Sequence, residues 1–170
     1  MFSEAVKERA SRIELLLMDC DGVLTDGRLY FSSAGEAMKV FHVRDGQGIV
    51  LWHKAGYSSG IITGRDSENI LKIRAKELGM RFLRVRSDDK IKDLDSILKE
   101  TGLSREQTAY VGDDLSDLPL LESVGLPIAV ADAMSKVTGV ATYVTLAKGG
   151  EGAVREVVDL LLAAKGSVQP

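Results

Sequence analysis

Short apolar runs alternate with amphipathic segments along most of the chain. The apolar runs predict strands at 15–18, 58–62, 81–85, 108–111, 126–130 and 141–144. The amphipathic segments predict a lead-in helix at 3–11 and further helices at 45–55, 67–78, 89–101, 115–124 and 152–165. Strands that alternate with helices form right-handed βαβ units, so we predict an α/β fold with a doubly wound parallel sheet covered on both faces.

One segment interrupts this alternation. Between the first strand and the first crossover helix, two β-prone runs flank a small loop that contains Gly35, which predicts a β-hairpin over about 28–43. The hairpin carries Tyr30, Phe31 and Phe41, and aromatic side chains are costly to leave in water as a patch. Packing on the parent domain and burial against another subunit both account for these aromatic residues at this stage.

Composition narrows the class of protein. A chain of 170 residues with 45% hydrophobic and 28% charged residues is typical of one globular domain, here 1–170 with a short tail at 166–170. The net charge of -3 argues against a nucleic-acid partner, and the single cysteine, Cys20, cannot form an internal disulfide. The sequence has neither an apolar run of membrane-spanning length nor a signal-peptide pattern, so we expect a cytoplasmic protein without a membrane partner.

Two carboxylates follow the first apolar run. Residues 15–18 are all apolar, and Asp19, Asp21 and Gly22 come directly after them. Ligands of open parallel sheets bind beyond the carboxyl ends of the strands, and buried carboxylates require a cation or hydrogen bonds. The pair therefore indicates a metal site, a nucleophile with an acid/base partner, or both, and the plainer alternative is an Asp-Gly turn.

Further polar residues occupy equivalent positions. Thr63 follows another strand, Lys90 lies at the start of a helix where the macrodipole disfavours a cation, and Asp113, Asp114 and Asp117 follow a third core strand. Helix capping and solvated ion pairs explain each of them singly. Together they predict one site, because carboxylates suit Mg²⁺ and can attack phosphorus, while a lysine and a threonine hydroxyl stabilise phosphoryl oxygens.

The four signals resemble a known set of motifs. D-C-D-G-V-L-T, I-I-T-G-R, Lys90 and Y-V-G-D-D-L-S-D are similar, in this order, to the four motifs of the haloacid dehalogenase superfamily of phosphatases. The resemblance implies a Rossmann-like core, with Asp19 as the nucleophile that forms an aspartyl phosphate. It implies that Asp21 is the general acid and then the base, and that Thr63 and Lys90 bind the phosphoryl oxygens.

The same resemblance implies a Mg²⁺ site. Its ligands would be the Asp19 carboxylate, the main-chain carbonyl of Asp21 and Asp113, with Asp114 and Asp117 further from the ion. The gaps between the motifs leave no room for a cap domain, so the chain resembles the capless group of the superfamily.

A narrower resemblance concerns the substrate. The hairpin, F-H-V-R-D-G-Q-G-I and G-G-E-G-A-V-R-E are similar to phosphatases of 3-deoxy-D-manno-octulosonate 8-phosphate, which act in the synthesis of the inner-core sugar of lipopolysaccharide. This resemblance implies a homotetramer in which the hairpins meet at the centre and neighbouring subunits complete each active site.

An acidic sugar substrate requires cations. Arg65 follows the phosphate-binding turn at Gly64, and a guanidinium binds carboxylates bidentately, so Arg65 is our candidate for the substrate carboxylate. Lys72 and Arg74 on the following helix either reach a neighbouring site or lie on a solvated face. Arg155 is left open, with a structural ion pair as the plainer explanation.

Two alternatives stay open. The segment R-V-R-S-D-D-K before and including Lys90 differs from the glycine-containing turn common in these phosphatases, which makes a nine-carbon sugar acid 9-phosphate an alternative substrate. A non-catalytic tetramerisation domain of the same fold is the second alternative. It predicts loss of a catalytic acid, whereas Asp19, Asp21 and Asp113 are all present.

Overall fold

The computed structural model describes residues 3–166 and contains one parallel sheet. Its strands are β1 (Leu15–Met18), β4 (Ser58–Ile62), β5 (Phe82–Arg84), β6 (Thr108–Gly112), β7 (Leu126–Ala129) and β8 (Tyr143–Val144). They are ordered β5-β4-β1-β6-β7-β8, and every pairing is parallel. The chain first builds outward from β1 through β4 and β5 and then crosses to β6, so the topological switch point lies between β1 and β6.

Helices cover both faces of this sheet. They are α1 (Glu4–Ser11), α2 (Val43–Lys54), α3 (Glu68–Leu78), α4 (Lys90–Thr101), α5 (Leu118–Leu121), α6 (Ser135–Val140) and α7 (Ala153–Ala164). Side chains of α1, α2, α3 and α7 belong to one hydrophobic cluster, and side chains of α4, α5 and α6 belong to the other. The predicted doubly wound α/β fold is confirmed.

Strand β1 lies in the middle of the sheet and is apolar throughout because both of its faces are buried. Every residue of β1 is buried, and successive side chains point to opposite faces of a strand. Leu15 and Leu17 pack in the α4–α5–α6 cluster, whereas Leu16 and Met18 pack in the cluster of the other face. The strand is thereby anchored from both sides, which fixes the position of the residues that follow it.

The predicted hairpin is present and is shorter than expected. Strands β2 (Tyr30–Ser32) and β3 (Gly35–Met38) pair antiparallel and form a separate two-stranded sheet. Gly35, which the sequence placed in the loop, already belongs to β3 and has a φ of 106°. Phe31 is 63% exposed, and the described residues contain no cap domain.

Two expectations about helices were wrong. The segment 115–124 is a 3-10 turn, Leu115–Asp117, followed by the short α5, because Pro119 lacks an N–H and is tolerated only in the first turn of a helix. Helix α6 was not predicted, since it has only six residues and contains Gly139. Helix α4 itself agrees with the prediction over 89–101, with Asp89 as its N-cap.

Arg155 lies on α7 and contacts the carboxylates of Asp159 and Asp45. The Arg155 side chain pairs with Asp159 at 2.7 Å, as the structural explanation predicts, and its backbone N–H donates to Asp45. No helix within residues 3–166 has the length and apolar character needed to span a membrane. Residues 167–170 of the predicted tail lie outside the described residues.

Candidate active site

The carboxyl edge of the sheet brings the predicted catalytic residues together. Asp19 directly follows β1, and Asp113 directly follows the adjacent strand β6. Thr63 follows β4, the neighbour of β1 on its other side, and Lys90 is the first residue of α4. The Lys90 Nζ lies 3.0 Å from Asp19 Oδ2, so the lysine and the proposed nucleophile form an ion pair.

Lys90 is buried and charged. Its Nζ also lies 2.7 Å from Asp117 Oδ1 and 3.2 Å from the Tyr110 hydroxyl. Burial lowers the pKa of Lys90, but the charges of Asp19 and Asp117 outweigh this and raise it above its usual value. The alternative of a solvated lysine is therefore wrong.

Asp117 organises the loop that carries Asp113. Its side chain is fully buried and accepts hydrogen bonds from Lys90, from the Tyr110 hydroxyl at 2.7 Å and from the backbone N–H groups of Asp113 and Asp114 at 3.0 and 3.2 Å. Asp114 instead lies at the surface and caps the 3-10 turn by accepting from the Leu115 N–H. Sequence reasoning missed Tyr110, because a tyrosine inside an apolar strand is ordinarily a core residue.

Three carboxylates form a group that fits a divalent cation. Oxygens of Asp19, Asp113 and Asp117 lie within 4.8 Å of one another, and the buried Asp113 Oδ1 has no hydrogen-bond partner in the described part of the chain. Burial, with the charge of Asp117 second, raises the pKa of Asp19 to about 6 and that of Asp113 to about 8. Lys90 alone does not neutralise this cluster, and hard cations such as Mg²⁺ prefer carboxylate oxygens.

The glycine of the D-C-D-G string is required on two grounds. Gly22 has a φ of 90°, which side-chain-bearing residues rarely adopt. A β-carbon at this position would also lie 2.1 Å from Asp113 Oδ2. Gly22 therefore allows the Asp113 carboxylate to approach the loop that follows β1.

The loop after β4 is fixed by its backbone. The Thr63 N–H donates to the Arg84 carbonyl at 2.9 Å, and the Thr63 carbonyl accepts from the Ser87 N–H at 3.0 Å. The buried Thr63 Oγ1 accepts weakly from the Arg65 N–H at 3.3 Å, which leaves its own proton for another acceptor. A β-carbon at Gly64 would make only an ordinary contact with Ser87, so a phosphate-binding role for Gly64 stays a prediction.

The proposed acid, Asp21, contacts two cations. The Lys39 Nζ lies 2.5 Å from Asp21 Oδ1, and the Arg65 Nε lies 3.5 Å from Asp21 Oδ2. Lys39 also donates to Glu36 Oε1 at 2.8 Å, and Glu36 Oε2 accepts from the Ser67 hydroxyl at 2.5 Å. The hairpin therefore reaches the active site of its own chain.

Lys39 and Glu36 were not predicted from the sequence. Charged residues in a short β-hairpin are usually solvated, and nothing in the alternation of strands and helices indicates where a hairpin folds back. Only the charge of both residues within an otherwise β-prone run could have drawn attention to them.

Lys72 and Arg74 lie elsewhere on α3. Lys72 pairs with Glu68 and its side chain is 64% exposed, whereas Arg74 pairs with Glu77 and stacks over the Phe41 ring. A contact of either residue with the site of a neighbouring subunit stays a prediction.

Comparison with known proteins identifies the family. The model of the haloacid dehalogenase-like hydrolase family matches residues 82–157. The 3-deoxy-D-manno-octulosonate 8-phosphate phosphatase KdsC of Yersinia pestis is 43% identical over 167 residues, which cover 98% of this chain and 89% of the relative. The chain belongs to the haloacid dehalogenase-like hydrolases.

Solved structures of this hydrolase family share the whole architecture. A probable YrbI family phosphatase from Pseudomonas syringae is 46% identical, superposes with a TM-score of 0.94, and the match covers 98% of this chain and 94% of that one. The 3-deoxy-D-manno-octulosonate 8-phosphate phosphatase of Moraxella catarrhalis, solved with magnesium ion, phosphate ion and KDO, is 38% identical with a TM-score of 0.93. That match covers 97% of this chain and 94% of the other.

Proposed function

We propose that this chain is a Mg²⁺-dependent phosphomonoesterase that hydrolyses 3-deoxy-D-manno-octulosonate 8-phosphate to the free sugar acid and inorganic phosphate. The observation that carries the proposal is the meeting of Asp19, Lys90 and Asp113 at the carboxyl edge of the sheet. The 43% identity to a phosphatase of this substrate and the Moraxella complex with KDO support the choice of sugar. A cytoplasmic location belongs to the same proposal.

In the first half-reaction, the Asp19 carboxylate attacks phosphorus. The Cys20 N–H donates to Asp19 Oδ1 at 2.7 Å and Lys90 contacts Oδ2, so the nucleophile is oriented before substrate arrives. The bond from phosphorus to the sugar oxygen breaks as the aspartyl phosphate forms, and Asp21 gives its proton to that oxygen. Lys90 and the Thr63 hydroxyl bind the phosphoryl oxygens and stabilise their charge.

In the second half-reaction, water hydrolyses the aspartyl phosphate. Asp21, now ionised, takes a proton from the water as it attacks phosphorus, and Asp19 is released with inorganic phosphate. Asp19, Asp113 and the Asp21 carbonyl would bind Mg²⁺, which supplies further neutralisation of the phosphoryl charge when bound. Arg65 contacts Asp21 on the side opposite to Lys39 and is proposed to bind the substrate carboxylate.

The unusual segment before Lys90 retains a tight turn. Arg86 has a φ of 54°, the left-handed conformation that glycine adopts most readily, and its N–H donates to the Arg65 carbonyl. The turn thus remains attached to the loop of Thr63 although it lacks glycine. The choice of the eight-carbon sugar acid over the nine-carbon alternative rests on the 43% identity to the Yersinia phosphatase.

The experiment that tests the function is phosphate release from a panel of substrates, with Mg²⁺ and with EDTA. The panel contains the eight-carbon and nine-carbon sugar-acid phosphates and neutral hexose phosphates. We expect Mg²⁺-dependent release with the highest kcat/KM for the eight-carbon acid. Preference for a nine-carbon acid would change the substrate and keep the chemistry, whereas the absence of metal-dependent release would support the non-catalytic alternative.

We further propose that the chain forms a homotetramer through the hairpin. Its exposed apolar side chains include Phe31, Met38 and Val40. Phe41 and Val43, which follow these residues along the chain, line a groove of about 440 Å³ together with Ile70, Ile73, Arg74 and Glu77. Val43 is 78% exposed and Ile73 is 73% exposed, so this surface favours burial against a second copy over permanent contact with water.

Substitution of Val43 tests the tetramer. Glutamate at this first residue of α2 suits the helix dipole, so Val43→Glu leaves the helix intact while it places a charge on the apolar surface. We expect its mass in sedimentation to fall below that of the native protein. Leu146→Glu, at a 91% exposed residue of the loop after β8, is the control and should sediment as the native protein does. A native mass that is already monomeric contradicts the proposal.

A further inference from the structure

Lys39 is a buried cation at the end of the hairpin. Its side chain is only 1% exposed, although the neighbouring Met38 and Val40 are 54% and 53% exposed. Lysine is almost never buried unless it is paired, because taking an ammonium group out of water is costly. The hairpin therefore exposes apolar residues and buries its lysine, the reverse of what stability alone favours.

Two carboxylates fix the Lys39 ammonium group. Its Nζ donates to Asp21 Oδ1 at 2.5 Å and to Glu36 Oε1 at 2.8 Å. Burial lowers the pKa of Lys39, but the hydrogen bonds to Asp21 and Glu36 outweigh it and raise the pKa above its usual value. Burial raises the pKa of Glu36, but hydrogen bonds from Lys39 and Ser67 lower it overall. The contact between Lys39 and Glu36 is therefore an ion pair at neutral pH.

Glu36 in turn is anchored to two other parts of the site. Its Oε2 accepts from the Ser67 hydroxyl at the start of α3 and lies 3.9 Å from the Arg65 guanidinium. The ammonium group of Lys39 consequently has a defined position relative to the loop that follows β4. A lysine anchored in this way can orient the carboxylate that it contacts.

The two oxygens of Asp21 are inequivalent as a result. Oδ1 accepts a short hydrogen bond from Lys39, whereas the buried Oδ2 has no hydrogen-bond partner among residues 3–166 and faces Arg65 at 3.5 Å. The oxygen that donates a proton to a leaving group must be free of another donor. Oδ1 does not meet that requirement, whereas Oδ2 accepts no hydrogen bond from the Arg65 Nε 3.5 Å away and can carry the proton.

We propose that Lys39 is a positioning residue for Asp21, binding Oδ1 so that Oδ2 delivers the proton to the leaving-group oxygen. The inference rests on the proposed phosphatase function. In this step the Asp19–phosphorus bond forms, the bond between phosphorus and the leaving oxygen breaks, and the proton of Asp21 moves from Oδ2 to that oxygen. Lys39 contributes orientation and itself transfers no proton.

A pair of aryl phosphates separates this role from a structural one. Phenyl phosphate and 4-nitrophenyl phosphate have nearly the same shape, but only the phenolate leaving group depends strongly on a proton from an acid. The quantity to measure is kcat/KM with Mg²⁺, because it reports the steps up to the aspartyl phosphate and excludes its hydrolysis. The ratio of the two kcat/KM values is independent of the fraction of folded enzyme and of contacts with the sugar.

For Lys39→Met we expect kcat/KM for phenyl phosphate to fall by on the order of 100-fold, the typical contribution of a well-placed acid, and that for 4-nitrophenyl phosphate to fall much less. The ratio therefore shifts toward the nitrophenyl ester. Lys39→Arg retains the charge and the donors and should restore part of the native ratio. Lys7→Met, at a lysine that pairs with Glu4 on α1, is the control and should leave the ratio unchanged.

Equal losses for both esters in Lys39→Met would overturn the inference, since they would make Lys39 an anchor of the hairpin alone. An unchanged rate for both would overturn it as well. Failure of the proposed function gives a different result. If the native protein hydrolyses the aryl esters without preferring a sugar-acid phosphate, the substrate assignment fails and the ratio still tests Lys39. If it hydrolyses neither ester, the phosphatase function and the inference fail together.

Discussion

Two networks of charged residues meet at the loop after β1, and they differ in origin and in charge balance. The inner network consists of Asp19, Asp113, Asp117 and Lys90. Its residues lie just after strands of the parallel sheet or at the start of the helices that follow them. The outer network consists of Asp21, Glu36, Lys39 and Arg65, and half of it comes from the hairpin.

The inner network has three carboxylates for one cation, whereas the outer network pairs two carboxylates with two cations. An excess of buried negative charge is stable only with a further cation, so the inner network suits Mg²⁺ and the phosphoryl group. The outer network is balanced without any ligand, which suits a framework that orients Asp21 and the sugar. The sheet thus positions the residues that react with phosphorus, and the hairpin positions the acid that protonates the leaving group.

Asp19→Asn breaks the inner network most completely. The amide retains the shape of the side chain but cannot attack phosphorus, so we expect kcat to fall by at least about 10³-fold. The melting temperature should not fall, because the substitution removes a buried negative charge. Asp26→Asn makes the same change on the same loop, at a residue paired with Arg28, and should leave kcat nearly unchanged. Retained activity in Asp19→Asn contradicts its assignment as the nucleophile.

Lys90→Met removes the only cation of the inner network. The change leaves Asp117 buried without its counter-charge, so we expect about 3 kcal/mol of lost stability together with loss of activity. Urea denaturation measures the free energy of unfolding. Lys92→Met on the same helix, with a side chain 84% exposed, should change it by less than about 0.5 kcal/mol. Similar values for the two variants would show that Lys90 is not the stabilising partner of Asp117.

Arg65→Ala tests the outer network from the substrate side. Charge-assisted hydrogen bonds to a carboxylate support binding, so we expect KM for the eight-carbon sugar-acid phosphate to rise by about 10-fold. KM for phenyl phosphate, which has no carboxylate, should change less. Arg28→Ala is the control, since Arg28 is an exposed residue of the neighbouring loop. Equal effects on both substrates would remove Arg65 from the carboxylate site.

The smallest effect is a pH dependence of the metal-free protein. The ordinary carboxyl pKa of 3.8 is raised to about 8 in Asp113 and to about 6 in Asp19, chiefly by burial. A carboxyl group with a higher pKa in the folded state binds its proton more tightly there, so stability falls as the pH rises through this range.

Thermal melts in EDTA should therefore show a lower melting temperature at pH 8 than at pH 5. Mg²⁺ binds ionised carboxylates, so its addition should raise the melting temperature more at pH 8 than at pH 5. Asp113→Asn should weaken both dependences. A melting temperature that rises steadily from pH 5 to pH 8 in EDTA would contradict the cause given for these two pKa values.

The sequence predicted the inner network better than the outer one for a physical reason. The carboxyl ends of parallel strands meet at one edge, so the apolar runs before Asp19 and Asp113 were enough to predict their proximity. The orientation of the hairpin depends on side-chain contacts of Glu36 and Lys39 that leave no periodic pattern. The sequence also did not predict that 115–124 divides into a 3-10 turn and a short helix, or that α6 is present. In elements this short, local turn chemistry outweighs hydrophobic periodicity.

The hydroxyl of Ser67 links the hairpin to the stability of α3. Serine at an N-cap ordinarily accepts from the backbone of the first turn, but Ser67 makes no such side-chain bond and donates to Glu36 instead. The hydrogen bond to Glu36 holds the Ser67 hydroxyl away from the N–H groups of the first turn, and release of the hairpin leaves the side chain able to rotate into a cap worth about 1 kcal/mol. The docked and released states are accordingly closer in free energy than the Glu36–Ser67 hydrogen bond alone implies, and amide exchange in the first turn of α3 should slow when the hairpin is released.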